Sequence, residues 1–567
     1  MHLKQIKRNG RVYLSVVQNY REGGKTRTKT IETIGYADAF ADRYDDPIAH
    51  FQEYVAKLNE EARSEDAPVS LSFSRNAQIE PGQNEGVHLG AGIAASYIEA
   101  LGAHTFFDGV SGSQGLADPG TVFEVLACAR MLHAVPKHET WESIDAFPRE
   151  VSANFTDAYR ALPCFARNDM QLVASINKAF DRLRGRGSVN QALLIYSNYV
   201  FSAALGDEAG GGRPSRAEDS TSSQLKRLCV IIDGNGMPIT YRIVDAQLDT
   251  AGVLSVLEET KREIGAKRIV LVAGRVDDAD EIARLTWESG NGFILYQPLG
   301  SAARGLRQWV ADNDGYETSK SGSFRMKSRV MRHEYMDDEG KHRRMPIKDL
   351  VLWGREFAMQ TRAQRMSSSQ TDGTGSDTDL DGYLCIVSSE TGRTNGGLFN
   401  LYRELWRVHE PFQVIDADFI SPPAPVNPQD HLRAHFLICY TAFFALRMLR
   451  LDMGWKYNAA QVADALLQLE GAHLTENWYL FNYRTDVTDA VEETLGIDVG
   501  RRIMSRNDIR HAIAQAKRTI RDRTPSIEDR SRHGSEIYRL TCEENECRRH
   551  VRLAWHAAVH RSHAPCG

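Results

Sequence analysis

Three sets of residues in this 567-residue chain could carry chemistry. The first is a run of cations in the opening 36 residues: Lys4, Lys7, Arg8, Arg11, Arg21, Lys25, Arg27 and Lys29, set against only Glu22 and Glu32. Cations at that density suit phosphates, because neutralising a polyanion releases its condensed counterions. The second is a scatter of carboxylates, Asp233, Asp277, Asp278, Asp280 and Glu410, which could hold hard divalent ions if folding gathered them. Each also has an ordinary reading. Asp233 opens the turn Asp233-Gly234-Asn235-Gly236, and Asp245 and Asp249 follow a strand, where turn chemistry accounts for them. Asp277, Asp278 and Asp280 fall at a helix start, where acids complement the dipole. The third set is Cys542, Cys547 and His550, a Cys-x₄-Cys-x₂-His run of zinc-type donors followed by His556, His560, His563 and Cys566. Its spacing departs from the established zinc patterns, and His556 and His560 also fit one face of a helix.

Around these residues the composition is that of a globular chain, with 42% hydrophobic and 25% charged residues. At about 150 residues per domain, the length suggests about 3–4 domains. Net charge is −6 with a pI near 6.3, yet residues 1–36 carry +6 and residues 501–563 carry +7, leaving −19 between them. Basic ends on an acidic body suit a polyanionic partner and equally suit solubility. Eight singly scattered cysteines fit a reducing cytosol better than a disulfide framework. MHLKQIKRNGRVYLS has no apolar run behind its charges, and His435–Leu449 is too short for a span of about 18 residues. Neither secretion nor a membrane partner is expected.

The elements that must position these residues change in texture along the chain. Alternation at Val12, Leu14 and Val16, between turns at Arg8-Asn9-Gly10 and Glu22-Gly23-Gly24-Lys25, predicts a three-stranded meander. A helix is predicted over Ile48–Ala62, then a polar linker. Helices are predicted over Gly92–Leu101, Thr121–His133 and Asp169–Leu183, the last after an Asn168 cap. Strands are predicted over Ala192–Phe201, Leu225–Asp233, Pro238–Asp245, Arg268–Ala273 and Gly292–Tyr296, with a helix over Asp277–Ser289. Ser323–His333 and Ile347–Trp353 read as strands, Met366–Asp379 as a low-complexity loop, and Tyr383–Ser388 as a strand. Two helices, Leu398–Val414 and Asp430–Leu449, follow, and helical patterning continues to about Arg523. Within it, Arg506–Arg521 after a Ser505 cap buries Ile509, Ile513, Ala516 and Ile520 and presents Arg510, Lys517, Arg518 and Arg521. Tyr402, Trp406 and Phe412 read as core. His431 and His435 have too few carboxylate neighbours for a metal site.

In this order the local words resemble the bacterial insertion-sequence transposases of the DDE type, over almost the whole chain. YLSVVQNYREGGKTRTKTIETIGY is similar to the family's N-terminal segment, DGNGMPITYRIV to its core hairpin and RIVLVA to its next strand. FRMKSRVMRHEY resembles part of its insertion, DGYLCIVSSE the strand after it, and LYRELWRV with HLRAHFLICYTAFFALRML its closing helices. The resemblance implies a mixed α/β fold, an RNase H-like core interrupted by a β-rich insertion and preceded by a small β module and a helical domain. The boundaries it suggests are 1–63 for the basic meander and helix, 64–89 for the linker, 90–188 for the helical domain, 189–300 for the first part of the core, 301–380 for the insertion, 381–455 for the closing strand and helices, and 456–567 for a basic helical C-terminal region. It further implies DNA as partner, a homodimer, and a cytoplasmic, nucleoid-associated location.

The family's chemistry uses two Mg²⁺ ions held by three carboxylates. Aligned on their neighbouring words, those positions fall at Ile195 (or Ser197 with a slip of two), Gly274 and His409, and the family's later lysine at Asp416. None of the three is a carboxylate. Glu410 is one helical step from His409, about 100° around the axis. The loop Gly206–Ser223 is acidic where relatives are basic. This implies a transposase-like DNA-binding protein with a disabled strand-transfer centre and no metal cofactor. The alternatives are an active Mg²⁺-dependent enzyme rewired through Asp233, Asp277 and Glu410, and a structural remnant with no DNA role.

Overall fold

The opening residues form the meander: β1 (His2–Arg8), β2 (Arg11–Glu22) and β3 (Lys25–Tyr36), in the order β1-β2-β3. The computed structural model describes residues 2–8, 10–22, 25–41, 43–44, 46–61, 86–111, 115–204, 221–245, 248–318, 324–355, 358–359, 380–415, 417–420, 422–475 and 477–523. Gly10 turns the first hairpin at φ +76°, a conformation open to glycine. Strict alternation does not hold in β2. Leu14, Ser15, Val16 and Val17 are all buried, because the pairing with β3 slips at Leu14/Ser15 and again at Val16/Val17. Helix α1 (Pro47–Glu61) completes this unit, and Tyr54 donates to Glu32 of β3 at 3.0 Å. The chain divides into two compact units at residue 79.

The second unit starts with β4 (Val87–His88) and six helices: α2 (Leu89–Ala100), α3 (Ala103–Ser111), α4 (Pro119–Leu132), α5 (Lys137–Glu142), α6 (Phe155–Arg167) and α7 (Asp169–Arg184). Helix α6 has no counterpart in the sequence reading, although Asn154 and Asp157 close a capping box at its start. Asn168 stands at the N-cap of α7, but its side chain makes no capping bond there. Its amide turns back to the Cys164 carbonyl at 2.8 Å. Then come β5 (Gln191–Ala204), β6 (Thr221–Asp233), β7 (Pro238–Asp245), α8 (Thr250–Ile264), β8 (Arg268–Ala273), α9 (Ala279–Glu288) and β9 (Gly292–Tyr296). Asp249, read as a strand exit, is the N-cap of α8 and accepts from Gly252 N at 2.8 Å.

After α10 (Arg304–Ala311), the strands β10 (Glu317–Thr318), β11 (Phe324–Met336), β12 (His342–Gly354) and β13 (Tyr383–Ser388) join the same sheet. Its order is β10-β11-β12-β13-β9-β8-β5-β6-β7. β8 and β9 run parallel to β5, and every other pairing is antiparallel. The chemistry-bearing elements follow. The expected long helix over Leu398–Val414 is two short ones, α11 (Asn395–Tyr402) and α12 (Glu404–His409). Pro411 lies just beyond the early stop and has no N–H to carry the helix on. Helices α13 (Ala417–Ile420) and α14 (Pro428–Asp452) follow.

α14 is longer than the predicted Asp430–Leu449, and its length and apolarity would suffice to cross a membrane, but 94% of its most apolar window is buried inside the protein. The helical run expected beyond it is broken. Between α15 (Ala459–Leu467), α16 (Asp486–Leu495) and α17 (Arg506–Asp522) lie β14 (Glu470–Thr475), β15 (Trp478–Leu480) and β16 (Ile503–Ser505), and β14 pairs back to β4. These strands are too short, and their pairing too distant, for periodicity to reveal.

Alternation along β5 sorts the core. Leu193 and Ile195 face a large core shared with α2, α4, α6 and α14, whereas Ala192, Leu194 and Tyr196 face a smaller one under α8 and α9. The helices of 90–188 and the sheet thus bury one apolar mass and are not separate cores. At one end Arg184 grips Asp452 through bonds of 2.8 and 2.7 Å while Tyr97 donates to it at 3.0 Å.

α17 buries Ile509, Ala512, Ala516 and Ile520. Lys517 and Arg521, read as outward cations, engage Glu99 of α2, with Arg521 at 2.9 Å. Below them Glu124 is fully buried, with neither oxygen hydrogen-bonded among the described residues and Arg149 at 3.6 Å. Burial lifts its carboxyl to about 7, against the pull of Arg149 and with the help of Glu99. A pKa raised in the folded state contributes stability below the usual value near 4.5 that is lost as pH rises through about 7. Glu124→Gln is expected to remove a decline of about 3 kcal/mol between pH 5 and pH 8. Denaturant titrations of parent and variant at both pH values check this, and parallel pH profiles would refute it.

Candidate functional site

Parallel pairing brings Ile195 opposite Val272 and Tyr196 opposite Ala273, so Gly274 leaves β8 beside the level of Ser197. Helix α12 crosses this point and places His409 Nδ1 3.4 Å from Ser197 Oγ. His409 at the end of α12 thus meets Ser197 in the middle of β5, at the level where β8 ends before Gly274. Ile195 is fully buried one turn of the pleat deeper, so Ser197 is the first-strand residue that reaches the meeting point. A β-carbon added at Gly274 would find nothing within 4 Å. Burial lowers the pKa of His409 and favours the neutral imidazole. A hydroxyl and a neutral imidazole can share a hydrogen bond. They bring no negative charge to two divalent cations, which prefer anionic oxygen.

Of the proposed substitutes, Asp233 lies elsewhere. Asp233 pairs with Ala192, five residues along β5 from Ser197, about 16 Å at strand rise. It is buried, accepts from Asn235 N and Met237 N at 2.9 Å each and lies 3.1 Å from Arg186, with burial raising its carboxyl against the pull of Arg186. Turn chemistry and an ion pair use it up. Asp277 is exposed in the turn before α9, and Asp278 next to it adopts a left-handed φ of +51°. Glu410 caps the C-terminus of α12. Asp416 and the cysteine–histidine run Cys542, Cys547 and His550 lie outside the described residues, as do 206–220, 366–379 and most of the linker.

Residues that sequence reasoning passed over sit at the start of α12, beside the β6–β7 turn. Glu404 of α12 is buried between Arg447, which bonds its Oε2, and Arg407 at 2.7 Å from Oε1. Burial pushes its carboxyl up, but the two guanidiniums win and hold it at about 2. Arg447 also donates to the Gly236 carbonyl in the β6–β7 turn, so the cluster ties α12 and α14 to the hairpin. No sequence signal marks it, because Glu404 and Arg447 are 43 residues apart.

Two other polar groups resemble sites, and partners within the protein engage their donor atoms. His104, Asp108 and Asp118 bring ligand atoms within 4.8 Å of one another. Arg149 donates to His104 Nε2 at 2.8 Å, however, which leaves the ring proton on Nδ1 facing Asp108 at 3.2 Å and no lone pair for a metal. His431 stacks on Phe419 at 4.0 Å, and burial depresses its pKa to about 2. His435 Nε2 lies 3.2 Å from Arg130 and 3.5 Å from Cys439. Tyr402, Trp406 and Phe412 are core residues.

In the N-terminal unit Lys4, Lys7 and Lys29 are exposed. Arg11 is less available than its sequence suggests, since Asp38 accepts from Nη2 at 2.7 Å and the Tyr36 ring lies 4.3 Å from its guanidinium carbon. Arg8, Arg21, Lys25 and Arg27 belong to the strands, but their side chains lie outside the described residues. Lys25, Arg27 and Lys29 occupy alternate positions of β3.

The basic β-meander at the start of the chain is similar to part of one class of protein, the insertion-sequence transposases. Residues 2–69 match the family model of the IS1634 family transposase, N-terminal domain. The match supports a transposase-like role for this chain. No curated protein matches it.

Proposed function

We propose that the chain is a transposase-like DNA-binding protein that acts as a homodimer on DNA ends and does not cut them. The observation that carries this reading is the approach of His409 to Ser197 at the level of Gly274, none of the three being a carboxylate. The order β7-β6-β5-β8-β9, with the first strands antiparallel and the last two parallel to β5, supports an RNase H-like core around that point. The exposed Lys4, Lys7 and Lys29 supply phosphate contacts, and the reading requires no resident metal.

The test uses labelled DNA flanking the gene, with and without Mg²⁺ or Mn²⁺, on paired native and denaturing gels. The expected result is a retarded band with intact strands. Metal-dependent cutting would overturn the proposal. In a second arm, the triple variant Ser197→Asp, Gly274→Asp, His409→Glu is expected to gain a rise in Tm with Mn²⁺ that the parent lacks. A variant that folds but shows no such rise would mean that these positions do not form the old centre.

A further inference from the structure

The β11–β12 ribbon outgrows its sheet. β10 pairs only with Arg325 and Met326, and β13 joins β12 only from Lys348 onward. Among the described residues no strand lies beside Lys327–Met336 on the outer side of β11. The ribbon is nevertheless held in place. Tyr335, Met345 and Ile347 pack into the core under α9, and Arg284 of α9 lies 3.1 Å from Asp338 at the tip. A preorganised strand with open N–H and C=O groups invites another strand. Val330 (61% exposed), Met331 (37%) and Met336 (57%) are three of the six large exposed hydrophobics among the described residues.

The free edge of β11 complements itself. Its sequence from Val330 is Val-Met-Arg-His-Glu-Tyr-Met. An antiparallel copy centred on His333 sets Val330 opposite Met336, Met331 opposite Tyr335 and Arg332 opposite Glu334, each twice. These are two apolar pairings and one ion pairing, all favourable across strands. The edge of β12 is unsuited, because Pro346 has no N–H to give and Arg343 and Arg344 stand in succession. We infer that two copies of this chain join edge to edge through Val330–Met336 of β11, about a two-fold axis at His333, which makes one continuous sheet across the dimer. The inference supplies the surface for the homodimer proposed above, and its test reads association rather than DNA binding.

The register is testable in the full chain. In His333→Cys the two introduced thiols would face each other at about 4.5–5.5 Å between α-carbons, within disulfide range. Mild oxidation should give a covalent dimer that the parent does not form. In Met336→Cys the equivalent residues would lie about 20 Å apart and should not link, whereas a mixture of Val330→Cys and Met336→Cys chains should. By sedimentation velocity, Arg332→Glu and Glu334→Arg should each weaken association about tenfold or more, and the double exchange should restore it. A monomeric parent, equal linking at 333 and 336, or no rescue by the double exchange would overturn the inference. So would Arg332→Glu lowering DNA retardation while association is unchanged, which would assign the edge to nucleic acid.

Discussion

Exchange of Lys4, Lys7 and Lys29 for glutamine is expected to lower DNA affinity about 10²- to 10³-fold at 0.1 M salt. Each phosphate contact adds about 0.9 to the slope of log affinity against log salt, so the triple variant should lose about 3 from that slope. All three side chains are exposed, so folding stability should move by no more than about 0.5 kcal/mol. Arg11→Gln should contribute less, because Asp38 already accepts from its guanidinium. Filter binding at four or five salt concentrations yields both quantities. An unchanged slope would show that the meander does not touch phosphates and would return the chain to the structural-remnant reading.

Glu404→Ala is expected to destabilise the second unit by about 3–5 kcal/mol, because it leaves Arg447, buried at 3% exposure, without its carboxylate. The effect has a pH signature. The folded pKa of Glu404 is depressed to about 2, so its contribution is full above the usual value near 4.5 and fades as pH falls toward 2. Parent and variant should therefore differ most near neutrality and converge in acid. Denaturant midpoints at pH 7 and pH 3 check both parts. A loss below about 1 kcal/mol at pH 7 would mean that the two arginines find other partners.

These two expectations differ in how they could be found. The lysines of the meander are visible in a sequence window of 36 residues, and so is the meander, because hairpin turns and strand alternation are local. β7, β8 and β9 were legible to the residue, since each is an apolar run between turn formers such as Gly236 and Gly290. Helix α8 was not, although Asp249 caps it, because its amphipathic run follows the strand exit without a glycine or proline to mark the change. The stop at Pro411 was readable and was overridden by the pattern around it.

The sequence by itself determined the mixed α/β class, the chain order of the long strands of the main sheet, the basic N-terminal segment, and the residue types at the three aligned positions, all of which rest on local patterning. Only the tertiary structure decided that Ser197 rather than Ile195 meets His409, that Asp233 is spent on a turn and Arg186, and that Glu404 is clamped between Arg407 and Arg447. It also decided that Lys517 and Arg521 face Glu99 and that, among the described residues, no strand covers one edge of β11. The physical reason is the same in each case. Burial and charge pairing depend on which distant residues share a neighbourhood, and no period of 2 or 3.6 along the chain carries that information.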